Sequence, residues 1–188
     1  MQFKVYLKNL DSTKLYELPH HTLRVDEALN KDRSASVQFS YNVVKETADI
    51  LGTTVEGIFS DSYRELEIQD DSADIVYTGY VSSVVFSRQT EDGGSVSVLS
   101  KGFFSLLGKR FTNSLRTYST EDKSDIAWDL IDYTQGLSYG SLGITRGADP
   151  TTSNSDRTYR YKSIKEAIEK LSNLEVKDGF DFNIDNNK

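Results

Sequence analysis

The pentapeptide Gly136-Leu137-Ser138-Tyr139-Gly140 has the spacing of a nucleophile elbow, the tight turn that lifts a catalytic serine above a sheet. Such a turn needs a strand before it, a helix after it, and an acid and then a histidine downstream. The chain has no histidine beyond His21, so no base follows Ser138, and the apolar spacing ahead of Gly136 is helical. The pentapeptide therefore reads as a helix end and turn. His20 and His21 follow Pro19 in a turn between strands. Adjacent residues on a strand point to opposite faces, and with no cysteine in the chain a metal would need carboxylates brought from afar. They read as a surface or interface pair. Asp181-x-Asn183-x-Asp185 opens like a calcium loop, but Asn186 stands where the sharp turn requires glycine, and the interleaved Phe182 and Ile184 favour a strand. Asp70-Asp71-x-x-Asp74 reads as a solvated turn. Lys101, Lys109, Arg110 and Arg116 form a loose basic run, a solvated face first and a contact with an acidic neighbouring subunit second. The 29 acidic residues offer many carboxylate pairs, none in a context that singles it out. No catalytic, cofactor-binding or metal-binding residue is assigned, and neither enzyme activity nor a cofactor is expected.

The elements that would position any site divide the chain in two. Its 188 residues allow one large domain or two small ones. Leu, Ile, Val and Phe make up about a quarter of them, enough for a core without disulfide staples. The net charge of −7 is spread along the whole length, and a surface acidic throughout argues against DNA or RNA as a bound ligand. No apolar run reaches the roughly 18 residues that would span a membrane.

Residues 1–108 read as β. Phe3, Val5 and Leu7 alternate with polar neighbours; so do Leu23 and Val25, then Val37, Phe39 and Tyr41, then Leu66 and Ile68. Tyr80, Ser82, Val84 and Phe86 are expected to share one strand face. Glu91-Asp92-Gly93-Gly94 supplies a hairpin turn before Val96 and Val98. Between residues 42 and 60 the alternation fails, and Thr53-x-x-Glu56 marks a short helix. The segment from Gly102 to Gly108 reads as a helical turn.

Residues 109–188 change period. Ser119-x-x-Asp122 approximates a cap for a helix with Ile126, Ala127, Leu130, Ile131 and Thr134 on one face, stopped by Gly136. Trp128 falls off that stripe and is expected to meet a second surface. Arg146 to Thr158 reads as a loop, and Tyr159 and Tyr161 as a short strand. Ser163-Ile164-Lys165-Glu166 is a capping box for a helix burying Ile164, Ile168 and Leu171, with Lys165 outside and Glu166 paired to Lys170. Phe180, Phe182 and Ile184 form a last strand, Gly179–Asp185. The fold class is α+β: an N-terminal β-barrel-like domain, 1–108, then a smaller α+β domain with two helices, 109–188, which is expected to continue in a longer parent protein.

Two stretches carry a family resemblance. Ile75-Val76-Tyr77-Thr78-Gly79-Tyr80-Val81, followed by Val96 to Leu107, resembles the tail-tip hub pattern of tailed bacteriophages: a strand ending Gly-aromatic-aliphatic, a hairpin, then Gly-Phe-x-x-Leu-Leu. Thr120 to Gly147, with Ser-Asp-Ile-Ala-Trp-Asp-Leu-Ile-Asp-Tyr-Thr-Gln, and Tyr159 to Ile184, ending Phe-Asp-Phe-x-Ile, are similar to the helical part of the same proteins. The resemblance covers residues 60–188 and extends to hubs of contractile injection systems. It implies barrel-like domains with helices outside and a structural subunit of a baseplate hub or minor tail protein. It also implies assembly with itself as a homotrimer ring at the distal end of the tail tube, DNA meeting it only in transit. The implied partners are a distal tail protein or tail tube, a tape measure protein and a central fibre or spike, with no membrane partner. The implied place is the virion tail tip, after assembly in the host bacterial cytoplasm. The competing reading is a carbohydrate-binding host-adhesion module, with the 11 Tyr and 9 Phe as stacking platforms.

Overall fold

The computed structural model describes residues 3–8, 15–27, 30–60, 64–87, 93–138, 141–147 and 152–173, with positions 180, 182 and 184. The chain divides into two compact units: Met1–Glu27 with Arg33–Gly102, and Ala28–Asp32 with Phe103–Asn186.

The first unit is an antiparallel sheet of seven strands: β1 (Lys4–Lys8), β2 (Leu15–Glu17), β3 (His20–Asp26), β4 (Ser34–Ser40), β5 (Glu65–Gln69), β6 (Ile75–Ser87) and β7 (Ser95–Lys101). Their order is β2-β1-β5-β6-β7-β4-β3. The sheet is open, so the barrel-like expectation holds only loosely while the α+β class stands. Register explains the core: Val5 opposes Ile68 and Leu7 opposes Leu66, while Val37 opposes Val98 and Phe39 opposes Val96. Every second residue thus falls on one face. That face packs against Val44 and Ala48 of helix α1 (Tyr41–Ile50) and Val55 and Ile58 of α2 (Val55–Ile58). Two helices stand where the sequence suggests one. The cap of α2 is Thr54 rather than Thr53, its hydroxyl accepting from Gly57 N–H at 2.9 Å.

The β6 strand corrects a second expectation. A bulge between Val81 and Ser83 inserts one residue, which reverses the side-chain phase. Tyr77 and Val81 face the core before it, Val84 and Phe86 after it, so Tyr80 and Ser82 do not share their face. Gly93 and Gly94 sit at φ +76° and +80° in the following turn, as a tight hairpin demands; Glu91 and Asp92 lie outside the described residues.

The Tyr77 phenol is buried, which pushes its pKa up to about 12 against the lowering hydrogen bond to Ser100. It donates to Ser100 Oγ at 3.0 Å, and that hydroxyl donates to the Tyr80 carbonyl at 3.1 Å. Tyr77→Phe leaves the Ser100 hydroxyl short of a partner in the interior. It is expected to lower the unfolding free energy by about 1–3 kcal/mol in denaturant titrations.

The second unit opens with a 3₁₀ helix, Phe103–Lys109. A ribbon of β8 (Arg116–Asp122) and β9 (Asn154–Tyr159) follows, with helices α3 (Lys123–Gln135) and α4 (Ile164–Leu171). The short strand expected at Tyr159 and Tyr161 is the end of a two-stranded ribbon: β8 occupies the expected cap region, β9 begins inside the expected loop and ends at Tyr159, and Tyr161 lies beyond it. Thr, Ser, Asp and Arg dominate both strands, and most of their side chains are exposed, so no apolar alternation marks them. The core joins Leu107, Ile126, Leu130, Ile144, Tyr159, Ile164, Ala167, Ile168 and Leu171. Trp128 packs against this same core rather than a second surface.

Ser163 caps α4 as expected, accepting from Glu166 N–H. Glu166 pairs with Lys162 at 3.2 Å rather than with Lys170. Lys165 is only partly exposed; it forms an ion pair with Asp32 and lies 5.5 Å from the Phe104 ring centre, so it is no bland surface position. Asn30, at φ +55°, donates to the Phe180 carbonyl at 3.4 Å and accepts from Phe182 N–H at 2.7 Å. Its amide thereby supplies the bonds a neighbouring strand would supply. Phe180, Phe182 and Ile184 pack on the second core, without strand assignment at those positions; the residues between them lie outside the described set.

The N-cap of α3 is Asp122, not Ser119. Its Oδ1 accepts from Ser124 N–H at 2.8 Å and from the Thr152 hydroxyl, and its Oδ2 accepts from Thr152 N–H at 2.6 Å. Burial works to raise this carboxyl, but the bonds from Thr152 and Ser124 outweigh it and hold the pKa at about 2, below the ordinary 3.8. A depressed pKa means stability present above about 3.8 and lost as pH falls through about 2. Asp122→Ala is expected to cost about 0.5–2 kcal/mol at neutral pH. Asp122→Asn should lack the loss of stability between those two pH values that the wild type shows in acid titration of its unfolding midpoint.

Candidate assembly surface

The residues with chemical potential are scattered. Ser138 lies just past the end of α3, exposed, with a helix rather than a strand before it; Tyr139 and Gly140 lie outside the described residues. Ser138 is expected to give no labelling by a fluorophosphonate probe, and labelling would restore the elbow. His20 and His21 open β3 instead of lying in a turn. Burial first, and then repulsion from His21, lowers the His20 pKa below 6.5. Asp70 closes a tight turn, its Oδ1 accepting from Ser72 N–H at 2.8 Å and Asp74 N–H at 3.0 Å. Asp181, Asn183 and Asp185 lie outside the described residues. Among the described residues no three His, Cys, Asp or Glu side chains gather as a metal site.

The basic run is split between the two units, Lys101 in the first and Lys109, Arg110 and Arg116 in the second. Lys101 ends β7, whereas Arg116 binds Asp129 and lies 4.5 Å from the Tyr133 ring centre. Tyr118 donates to the same Asp129 carboxylate. Burial first, and then that carboxylate, raises the Tyr118 pKa to about 12. This cluster ties the ribbon to α3. In the first unit, buried Glu67 on β5 takes Lys8 and the Gln69 amide at 2.7 Å. Both clusters are internally satisfied and serve packing.

What faces outward is of another kind. The sheet edges are blunt: β2 has three residues, and β3 carries an Arg24–Asp26 pair at 2.9 Å, the sort of charge that discourages strand addition. Large apolar side chains are exposed in small groups. Ile50 and Leu51 end α1 at 84% and 37% exposure. Phe111, Leu115 and Tyr161 are 54%, 62% and 67% exposed. Backbone bonds join the segments bearing these three: Phe111 bridges Ser163, Thr112 N–H reaches the Lys162 carbonyl at 3.0 Å, and Tyr161 N–H reaches the Thr112 carbonyl at 2.9 Å. Tyr161 is held at φ +50°, a left-handed conformation that costs a bulky residue. Sequence reasoning missed these groups because apolar residues read as core until a structure shows them uncovered.

The sequence matches no protein-family model and none of the curated proteins. Several solved structures match this fold. One is a tail protein from Neisseria meningitidis MC58, at TM-score 0.56 and 12% identity, covering 89% of this chain and 45% of that one. A second is a type VI secretion system component of E. coli, described as similar to the T4 phage tail proteins gp27 and gp5, at TM-score 0.49 and 11% identity, covering 81% of this chain and 43% of that one. A third is a 43 kDa tail protein of prophage MuSo2 from Shewanella oneidensis, at TM-score 0.47 and 12% identity, covering 90% of this chain and 49% of that one. The chain thus spans under half the length of each of these three structures.

Proposed function

We propose that the chain is a structural subunit of a phage tail tip or baseplate hub, working by assembly rather than catalysis. Several copies form a ring at the distal end of the tail tube, and DNA passes through it. The observation that carries this reading is the fold shared with the Neisseria tail protein over 89% of the chain. The outward surface supports it: uncovered apolar groups on a protein with blunt sheet edges suit contacts between subunits. A net charge of −7 lets phosphate slide past without holding it. The proposed neighbours are a distal tail protein or tail tube, a tape measure protein and a central fibre or spike. Gold-labelled antibody against this chain, applied to purified particles, should decorate the tail end; decoration of the head alone overturns the reading. Binding of the isolated chain on a glycan array would favour the adhesion module instead.

A further inference from the structure

Two of the exposed groups complement each other in polarity and in charge. The first is the corner after α1. Its C-terminus is closed by Gly52 at φ +66°, with Thr53 N–H on the Ala48 carbonyl at 2.9 Å. Asp49 sits in the last turn, where the helix dipole is negative and a cation belongs. That turn holds no basic residue, and no ion pair to Asp49 forms among the described residues, although Lys45 lies one turn back. Ile50, beside this misplaced acid, is the most exposed large apolar residue of the described chain. Local sequence and local structure conflict here, and such conflicts mark surfaces shaped for something else.

The second group is the edge bearing Phe111, Leu115 and Tyr161. Residues 109–118 and 157–165, which meet there, contain no acid and seven Lys or Arg. Several of these are occupied: Arg116 by Asp129, Lys162 by Glu166, Lys165 by Asp32. Arg160 is exposed, with its guanidinium 5.3 Å from the Tyr161 ring centre, and it holds no carboxylate among the described residues. An aromatic centre flanked by arginine is the composition of a protein interface. On an acidic chain, it calls for an acidic, apolar partner.

We propose that the α1 corner of one copy docks on the edge formed by Phe111, Leu115 and Tyr161 of a second copy. Asp49 meets Arg160, and Ile50 enters among the exposed apolar side chains. Different surfaces meet, so the contact is head-to-tail, the type that generates rings or filaments. Leu115 and the acidity of the whole chain favour protein over nucleic acid as the occupant. The inference rests on the self-assembly reading above and names the surfaces that perform it.

The chain has no cysteine, so introduced pairs report contacts cleanly. Ile50→Cys and Tyr161→Cys variants, mixed at about millimolar concentration in low salt and oxidised, should form the mixed disulfide dimer. Ile50→Cys mixed with Ser83→Cys should not. Asp49→Lys or Arg160→Glu, added to its own half of the pair, should each lower the crosslinked yield roughly tenfold, and both reversals together should restore it. Equal yields with Tyr161→Cys and Ser83→Cys, or no restoration by the double reversal, overturn the contact. Several copies per particle without this crosslink would reject the contact and leave the hub reading intact.

Discussion

Ile168→Ala should lower the unfolding free energy by about 2–5 kcal/mol, while Lys170→Ala should leave it within about 0.5 kcal/mol. The two positions lie on one eight-residue helix, and their difference is a matter of face. Ile168 is 2% exposed among Ile126, Leu130, Ile164 and Leu171; its removal strips buried methyl groups and leaves a cavity that two helices and a 3₁₀ turn cannot collapse without losing other contacts. Lys170 is exposed on the far side. Lys165 is unsuitable as the quiet control, because its ion pair with Asp32 joins α4 to the Ala28–Asp32 segment of the same unit. Equal denaturant midpoints for the Ile168 and Lys170 variants would refute the packing of α4.

Gly79→Ala should be comparably harmful, at roughly 2–5 kcal/mol, although it adds a single methyl group. A β-carbon at position 79 would stand 2.3 Å from the Tyr77 hydroxyl and 2.5 Å from the Lys101 carbonyl oxygen. The hydroxyl could swing away only by abandoning Ser100 in the interior, and the carbonyl belongs to the β7 backbone, so neither yields cheaply. Gly136→Ala is the matched control: its β-carbon would meet nothing nearer than 3.6 Å, and it should be neutral or slightly stabilising. Calorimetric midpoints of the two glycine variants check the argument, and a Gly79→Ala midpoint equal to that of wild type would show the close approach to be absent. The glycine of the Gly-aromatic-aliphatic stretch is thus a packing requirement of the β6–β7 pair.

Much of this architecture is legible where one face of an element is buried. Val5 and Leu7, Val37 and Phe39, Leu66 and Ile68, and Val96 and Val98 alternate in sequence because they alternate in space. Ser163 announces α4 because its hydroxyl has a defined task there. Legibility fails where burial stops dictating residue type. The β8–β9 ribbon shows little apolar face and therefore no period. Ser82 reverses the phase of β6 with nothing in its identity to announce a bulge. Asn30 looks like any loop asparagine, yet its amide bonds to Phe180 and Phe182 across about 150 positions of sequence. The candidate surface was hidden for the opposite reason: Ile50, Phe111, Leu115 and Tyr161 have the composition of a core, and only their exposure sets them apart.

The most direct test of the hub account is a count of copies in the intact particle. Quantitative mass spectrometry of purified virions, with the chain's peptides scaled against a tail protein of known stoichiometry, gives the number per tail. The account predicts several copies in every tail, three by the family resemblance. A single copy per tail, or none, would contradict it.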